Sequence, residues 1–295
     1  MGVTSRPAGG RHSTTPTTAA APGAPFRLDA FLDGPARQGR RLYRGRSAGH
    51  AVEVREADGL RWFSVGGRFP QSMMRLDDPA AVVMPNQLTM LSALTWSGLP
   101  ARVLDLGAGC GTFERFFAAR LPGCAVTAIE RSRALVRLAR CHFALPETIE
   151  PLVADAATWL ADAADDAPRF DLVLCDIFDG EHHPDCLFDA WFYADCERRL
   201  ARGGAFALNV SPTAEDELVE MLAALRQAFA WVVLAPVVEH GNVVVLAGPR
   251  RPPGERTRRG RARALATTLA VDAGWLAPAW ERLPSRHQVR RGAPG

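Results

Sequence analysis

Several carboxylates in the middle of this chain stand where apolar runs end, and their spacing suits a particular chemistry. Glu130 closes the run Ala125-Val126-Thr127-Ala128-Ile129, where an acid can accept hydrogen bonds from both hydroxyls of a ribose. Asp155 follows Leu152-Val153-Ala154 and can hold the amino group of an adenine. It can equally cap the helix that Ala156 begins, and the two roles are compatible. Asp176 and Asp179 follow the apolar run Phe170 to Cys175, in Cys175-Asp176-Ile177-Phe178-Asp179-Gly180. Two carboxylates three residues apart at a strand end can bind a cationic amine and take a proton from it. The competing reading is a solvated loop. Asp105, inside Val103-Leu104-Asp105-Leu106, falls at the same expected edge.

Acids so far apart in sequence act together only if the fold gathers them at one rim. The stretch Arg102 to Gly111, RVLDLGAGCG, is the element that could do so. It reads as a short strand running into the turn Gly107-Ala108-Gly109-Cys110-Gly111. A helix follows, with Phe113, Phe116, Phe117 and Leu121 spaced by three and four. Glycines permit the tight turn and let the main chain lie against a ligand, with helix N–H groups aimed at it. Strands are expected at 102–106, 125–130, 149–153, 170–175 and 205–210, with helices near 112–120, 132–144, 155–164 and 188–200. Such alternation predicts an α/β fold with a doubly wound, mostly parallel sheet, ligands sitting beyond the carboxyl ends of its strands. Val232 to Val238 and Asn242 to Leu246, joined through His240-Gly241, read as a closing antiparallel hairpin.

Upstream, Ala51 to Arg55 alternates, Asp58-Gly59 signals a turn, and Leu60 to Val65 returns, which predicts a small β-element. Pro79 to Trp96 reads as helical in its second half, with Leu88, Leu91 and Leu94 inward. The expected division is a disordered tail over 1–40 and a small β-hairpin domain with a linking helix over 41–98. A nucleoside-binding catalytic domain over 99–249 and an Arg-rich extension over 250–295 complete it, with short surface helices at Ala262 to Leu269 and Trp275 to Leu283.

Composition narrows the classes. At 47% hydrophobic content a packed core is ample, and no run nears the ~18 apolar residues of a membrane span. The six cysteines are scattered without a C-x-x-C pair, so reduced thiols, a cytoplasmic enzyme and no metal are expected. Eleven Arg against three acids from Arg250 to Gly295 give +8; the whole chain is +3, leaving the preceding residues at −5. No aromatics interleave with Arg250 to Arg263, so a solvated or partly packed extension is favoured over a nucleic-acid surface.

From about Arg46 to Leu246 the chain resembles the spermidine synthase family of aminopropyltransferases, which share the Rossmann-like class I methyltransferase fold. The resemblance is carried by Gly107 to Thr112, Glu130, Asp155, the Asp-x-x-Asp pair Asp176 and Asp179, and Leu187-Phe188, Phe192-Tyr193 and Gly203-Gly204. It implies Gln71, Asp105, Gly107, Gly109, Gly111, Glu130 and Asp155 on the donor. It implies Asp176 as the base, with Asp179 and Tyr193 orienting the amine. The co-substrate would be decarboxylated S-adenosylmethionine or S-adenosylmethionine, the partner a small-molecule amine, and the assembly a homodimer.

The chain departs from the family pattern at three places. Cys110 replaces an acid in the glycine loop, the Tyr-containing pair after the Gln is not evident in Asp77 to Val82, and the gate reads Asp179-Gly180-Glu181-His182-His183. These departures keep two alternatives open: an S-adenosylmethionine-dependent methyltransferase and a non-catalytic nucleoside-binding homologue.

Overall fold

The computed structural model describes residues 26–34, 38–47, 50–66, 69–164, 166–178, 182–238 and 241–284. Most of the tail expected over 1–40, the gate acid Asp179 and the end of the Arg-rich extension lie outside them. Within that expected tail, Leu28–Asp33 forms a helix, α1. Its Phe31 ring meets Trp62 edge-on at 5.0 Å, so burial of two aromatics orders a segment whose composition alone reads as loose.

Four antiparallel strands follow, β1 (Arg40–Ser47), β2 (His50–Ala57), β3 (Leu60–Val65) and β4 (Phe69–Arg75), in spatial order β1-β2-β3-β4. Alternation on β2 puts Val52 and Val54 inside, beside Phe63 and Met74. The linking segment holds α2 (Pro85–Met90), one 3₁₀ turn and α3 (Leu94–Ser97). Pro at the first position of α2 starts it where no N–H partner is needed.

A seven-stranded sheet forms the rest. Its parallel part is β8-β7-β5-β6, made of β5 (Arg102–Leu106), β6 (Ala125–Ile129), β7 (Phe170–Cys175) and β8 (Leu200–Val210). The expected hairpin appears as β9 (Trp231–Pro236) and β10 (Val243–Gly248), with β10 wedged antiparallel between β8 and β9. A two-residue strand, β11 (Glu281–Arg282), closes that edge. The strand expected at 149–153 is reduced to a single bridge between Leu152 and Ile129, and Leu152 and Val153 are exposed rather than buried in the sheet.

Helices cover both faces. On one side lie α4 (Thr112–Arg120) and α9 (Glu255–Leu269); on the other α6 (Ala156–Asp162), α7 (Ala190–Arg199) and α8 (Glu215–Ala228). Between β6 and the bridge runs α5 (Arg133–His142). The described part of the Arg-rich extension is packed on the sheet domain: Arg261 donates to the Thr95 and Trp96 carbonyls at 2.9 and 3.0 Å, and Arg258 stacks on Trp280 at 4.3 Å. Trp275 to Leu283 is not one helix; a single turn, α10 (Ala273–Leu276), precedes β11. No helix among the described residues is long and apolar enough to cross a membrane.

Candidate functional site

The strand register builds the site. Leu106 pairs with Ile129 on one side and Cys175 on the other, and Cys175 pairs with Leu208. The next residue of each strand therefore falls in one row across the carboxyl edge: Glu130, Gly107, Asp176, Asn209. The first strand of the parallel part, β5, has its successors on both sides, so this row crosses the switch point where open α/β sheets bind ligands.

Gly107 sits at φ +94°, and a Cβ there would stand 2.6 Å from the Asp176 carbonyl oxygen. Only glycine lets the two strand ends approach so closely. Gly107→Ala should therefore lower unfolding stability by at least the ~1–2 kcal/mol of a disfavoured left-handed residue. A denaturant midpoint equal to that of the unchanged protein would contradict this.

Glu130 is buried and anchored by backbone: Gly109 N–H donates to its Oε2 at 2.9 Å and Ser132 N–H to its Oε1 at 2.7 Å. Burial pushes its carboxyl above the usual range, with those two amides pulling the other way. Asp155 caps α6 through Oδ1 alone, accepting from the Thr158 amide at 3.0 Å and the Thr158 hydroxyl at 3.2 Å. Asp176 is half-buried, and Asn209 donates to its Oδ1 at 2.8 Å. Burial raises its carboxyl as well, opposed by hydrogen bonds from Asn209 and Gln87.

One cavity is lined by Gln71, Gly107, Gly109, Glu130, Asp155 and Asp176 together. Asp176, Gln71 and His50 also line a second cavity that reaches α1, so Asp176 stands where the two meet. Carboxylates gathered at such a junction can hold a diol and an amine and accept a proton between them.

Three sequence candidates lie elsewhere. Asp105 points into the interior beside Glu114, two residues short of the rim; burial and that neighbouring acid push its carboxyl well up. Gly111 starts α4 at φ +77° and faces Leu145, outside the cavity wall. Tyr193 is fully buried, packed on Phe192 and Phe206, and its hydroxyl donates to the Leu187 carbonyl at 2.7 Å. Helical periodicity turned it onto the sheet, so it cannot orient a substrate. Asp179 lies outside the described residues.

Comparison with known proteins decides the relationship. The methyltransferase domain family matches residues 103–204. Over 205 residues, 68% of this chain and 77% of the relative, the sequence is 31% identical to a polyamine aminopropyltransferase of Chromobacterium violaceum. The chain belongs to the spermidine synthase family of polyamine aminopropyltransferases. It is an enzyme, a transferase on a class I methyltransferase fold. A probable spermidine synthase from Corynebacterium glutamicum shares that fold with a TM-score of 0.65 at 19% identity, covering 86% of this chain and 92% of its own. A spermidine synthase solved in complex with the transition-state analogue AdoDATO gives 0.61 at 18% identity, covering 85% and 86%.

Within the aminopropyltransferase framework, sequence reasoning missed the amides. Asn242 donates to Asn209 Oδ1 at 2.8 Å and Asn209 to Asp176, so two side-chain amides fix the carboxylate's orientation. A signal was present: Asn209 is the one polar residue in the otherwise apolar run Ala205 to Val210. The sequence places His183 in the gate segment, where loop histidines are more often solvated than metal-binding. It is buried, its Nε2 accepts from Ser211 N–H at 3.0 Å, and its Nδ1 therefore donates to Glu217 at 2.7 Å. That bond, with two from Thr213 and against a burial penalty, holds Glu217 down to about 2. His183 is thereby tied to the start of α8. Among the described residues no His, Cys, Asp and Glu group could hold a metal ion.

Proposed function

We propose that this enzyme transfers an aminopropyl group from decarboxylated S-adenosylmethionine to a primary amine. Glu130 accepts both ribose hydroxyls, Asp155 holds the adenine amino group, and the glycine loop lies along the donor chain. The amine enters through the second cavity and gives up a proton toward Asp176, since an ammonium has no lone pair. Its nitrogen then forms a bond to the methylene carbon beside the sulfonium. The carbon–sulfur bond breaks, its electron pair returns to sulfur, and methylthioadenosine leaves neutral. The observation that carries this is the shared lining of one cavity by Glu130, Asp155 and Asp176, the last also opening onto a second cavity.

A second reading, methyl transfer from intact S-adenosylmethionine, rests on Cys110. Burial pushes its thiol up to about 12, so the loop presents no charge there that would repel a donor carboxylate. Titration calorimetry separates the two. Aminopropyl transfer expects decarboxylated S-adenosylmethionine and methylthioadenosine to bind at least ~10-fold tighter than the carboxylated donor, about 1.4 kcal/mol. Tighter binding of the carboxylated donor would instead support methyl transfer.

A further inference from the structure

A groove of about 740 Å³ lies at the amino edge of the parallel strands, the end of the sheet opposite Glu130 and Asp176. Gly98 just ahead of β5, Gly203 beside the first residues of β7, and Arg250 just past β10 meet there. Its volume is that of a small-molecule site. Arg250, Arg251 and Arg261 line it together with the hydroxyl residues Ser97 and Thr257. The rest of its lining among the described residues is apolar or glycine, with Leu94, Pro253 and Leu265 forming an apolar side.

Arginines on an open helix face reach separately into water, but two of these are held by neutral groups. Arg261 donates from Nη1 to the Thr95 and Trp96 carbonyls at 2.9 and 3.0 Å. The Arg251 guanidinium carbon lies 5.9 Å from the centre of the Trp231 ring. Carbonyls and a ring orient a guanidinium and leave its charge in place. Two carboxylates at this end are engaged elsewhere: Glu255 pairs with Arg259 at 2.7 Å, and Asp171 accepts from the Ala101 and Arg102 amides at 2.8 and 3.0 Å. Guanidiniums held before a ligand arrives lower the ordering cost of binding. Their planar forks match phosphate oxygens, which accept two parallel N–H bonds.

We infer that this groove binds a small phosphate-rich anion, a phosphate chain such as that of a nucleoside triphosphate or of free polyphosphate. Its oxygens lie on Arg250, Arg251 and Arg261. Convergence of charge on a bounded groove, rather than a stripe along the surface, favours a compact ligand over a nucleic-acid strand. The site shares no residue with the carboxyl rim and stands or falls independently of aminopropyl transfer.

The test titrates inorganic triphosphate into the full chain by calorimetry at ~0.1 M salt. One site per chain is expected, with affinity at least ~10-fold weaker in Arg250→Gln/Arg251→Gln, because each lost pair is a charge-assisted hydrogen bond. Arg256→Gln/Arg263→Gln removes as much charge from exposed positions of α9 outside the lining, and should change affinity less than about twofold. Binding to the unchanged protein should also weaken as salt rises, a readout that needs no variant. Equal losses in the two double variants, salt-independent binding, or no binding at ~1 mM triphosphate overturns the site. Single-stranded RNA that binds tighter than triphosphate and is weakened by both double variants overturns the compact ligand. ATP separates the two sources, counted only where Arg250→Gln/Arg251→Gln weakens it. ATP tighter than triphosphate assigns the apolar side to a nucleoside, and equal affinity assigns the groove to the phosphate chain alone; either supports the site.

Discussion

Asp176→Asn is expected to lower turnover by at least ~100-fold, the lower range for loss of a proton acceptor, with methylthioadenosine affinity nearly unchanged. The substitution keeps the shape of the side chain. Its carbonyl oxygen can still accept from Asn209, which donates to Asp176 Oδ1 at 2.8 Å, so the row at the sheet edge stays in place. What disappears is the negative charge facing the junction of the two cavities. Because burial raises the Asp176 carboxyl, the acid limb of kcat/KM should lie above the ordinary carboxylate range. Residual activity of the variant should lack that limb. Stability moves the other way. A raised carboxyl binds its proton more tightly in the folded state, so its cost to stability is absent below the ordinary carboxylate value. The cost develops as pH rises toward the folded one. The variant should thus melt no lower than the unchanged protein at neutral pH. Full turnover in Asp176→Asn would sink the assignment of Asp176 as proton acceptor.

Glu130→Ala should weaken nucleoside binding by at least ~100-fold, since two hydrogen bonds to a charged acceptor are each worth ~1.5–3 kcal/mol. The loss has a second source. Gly109 and Ser132 amides now donate to this carboxylate, and removing it frees the glycine loop it anchors. Glu130→Gln distinguishes the two, because an amide oxygen retains one anchoring bond and some ribose contact; its affinity should fall between the others. Binding to the unchanged protein should also decline as pH falls through the raised Glu130 value. Calorimetry with methylthioadenosine across pH reads all three. Equal affinity in Glu130→Ala and the unchanged protein would move the ribose elsewhere.

The chain itself determined which residues end strands. The apolar runs before Glu130 and Asp176 and the glycines of RVLDLGAGCG are local signals, each strong enough to place an acid or a turn at a strand's carboxyl end. The α/β alternation followed from the same periodicity. The family resemblance made Tyr193 look available, because a motif position says nothing of which helix face meets the sheet. The periodicity made Asp105 look like a rim residue, although the rim begins two residues later at Gly107.

Only the tertiary structure decided the neighbours. Strand order β8-β7-β5-β6 and its register are set by long-range pairing, and that pairing aligns Glu130, Gly107, Asp176 and Asn209, residues spread over a hundred positions. A helix from the presumed tail closes the second cavity because Phe31 finds Trp62, a contact between segments whose local patterns carry no trace of each other. Side-chain chemistry is written residue by residue, whereas juxtaposition is a property of how whole strands and helices bury their apolar faces.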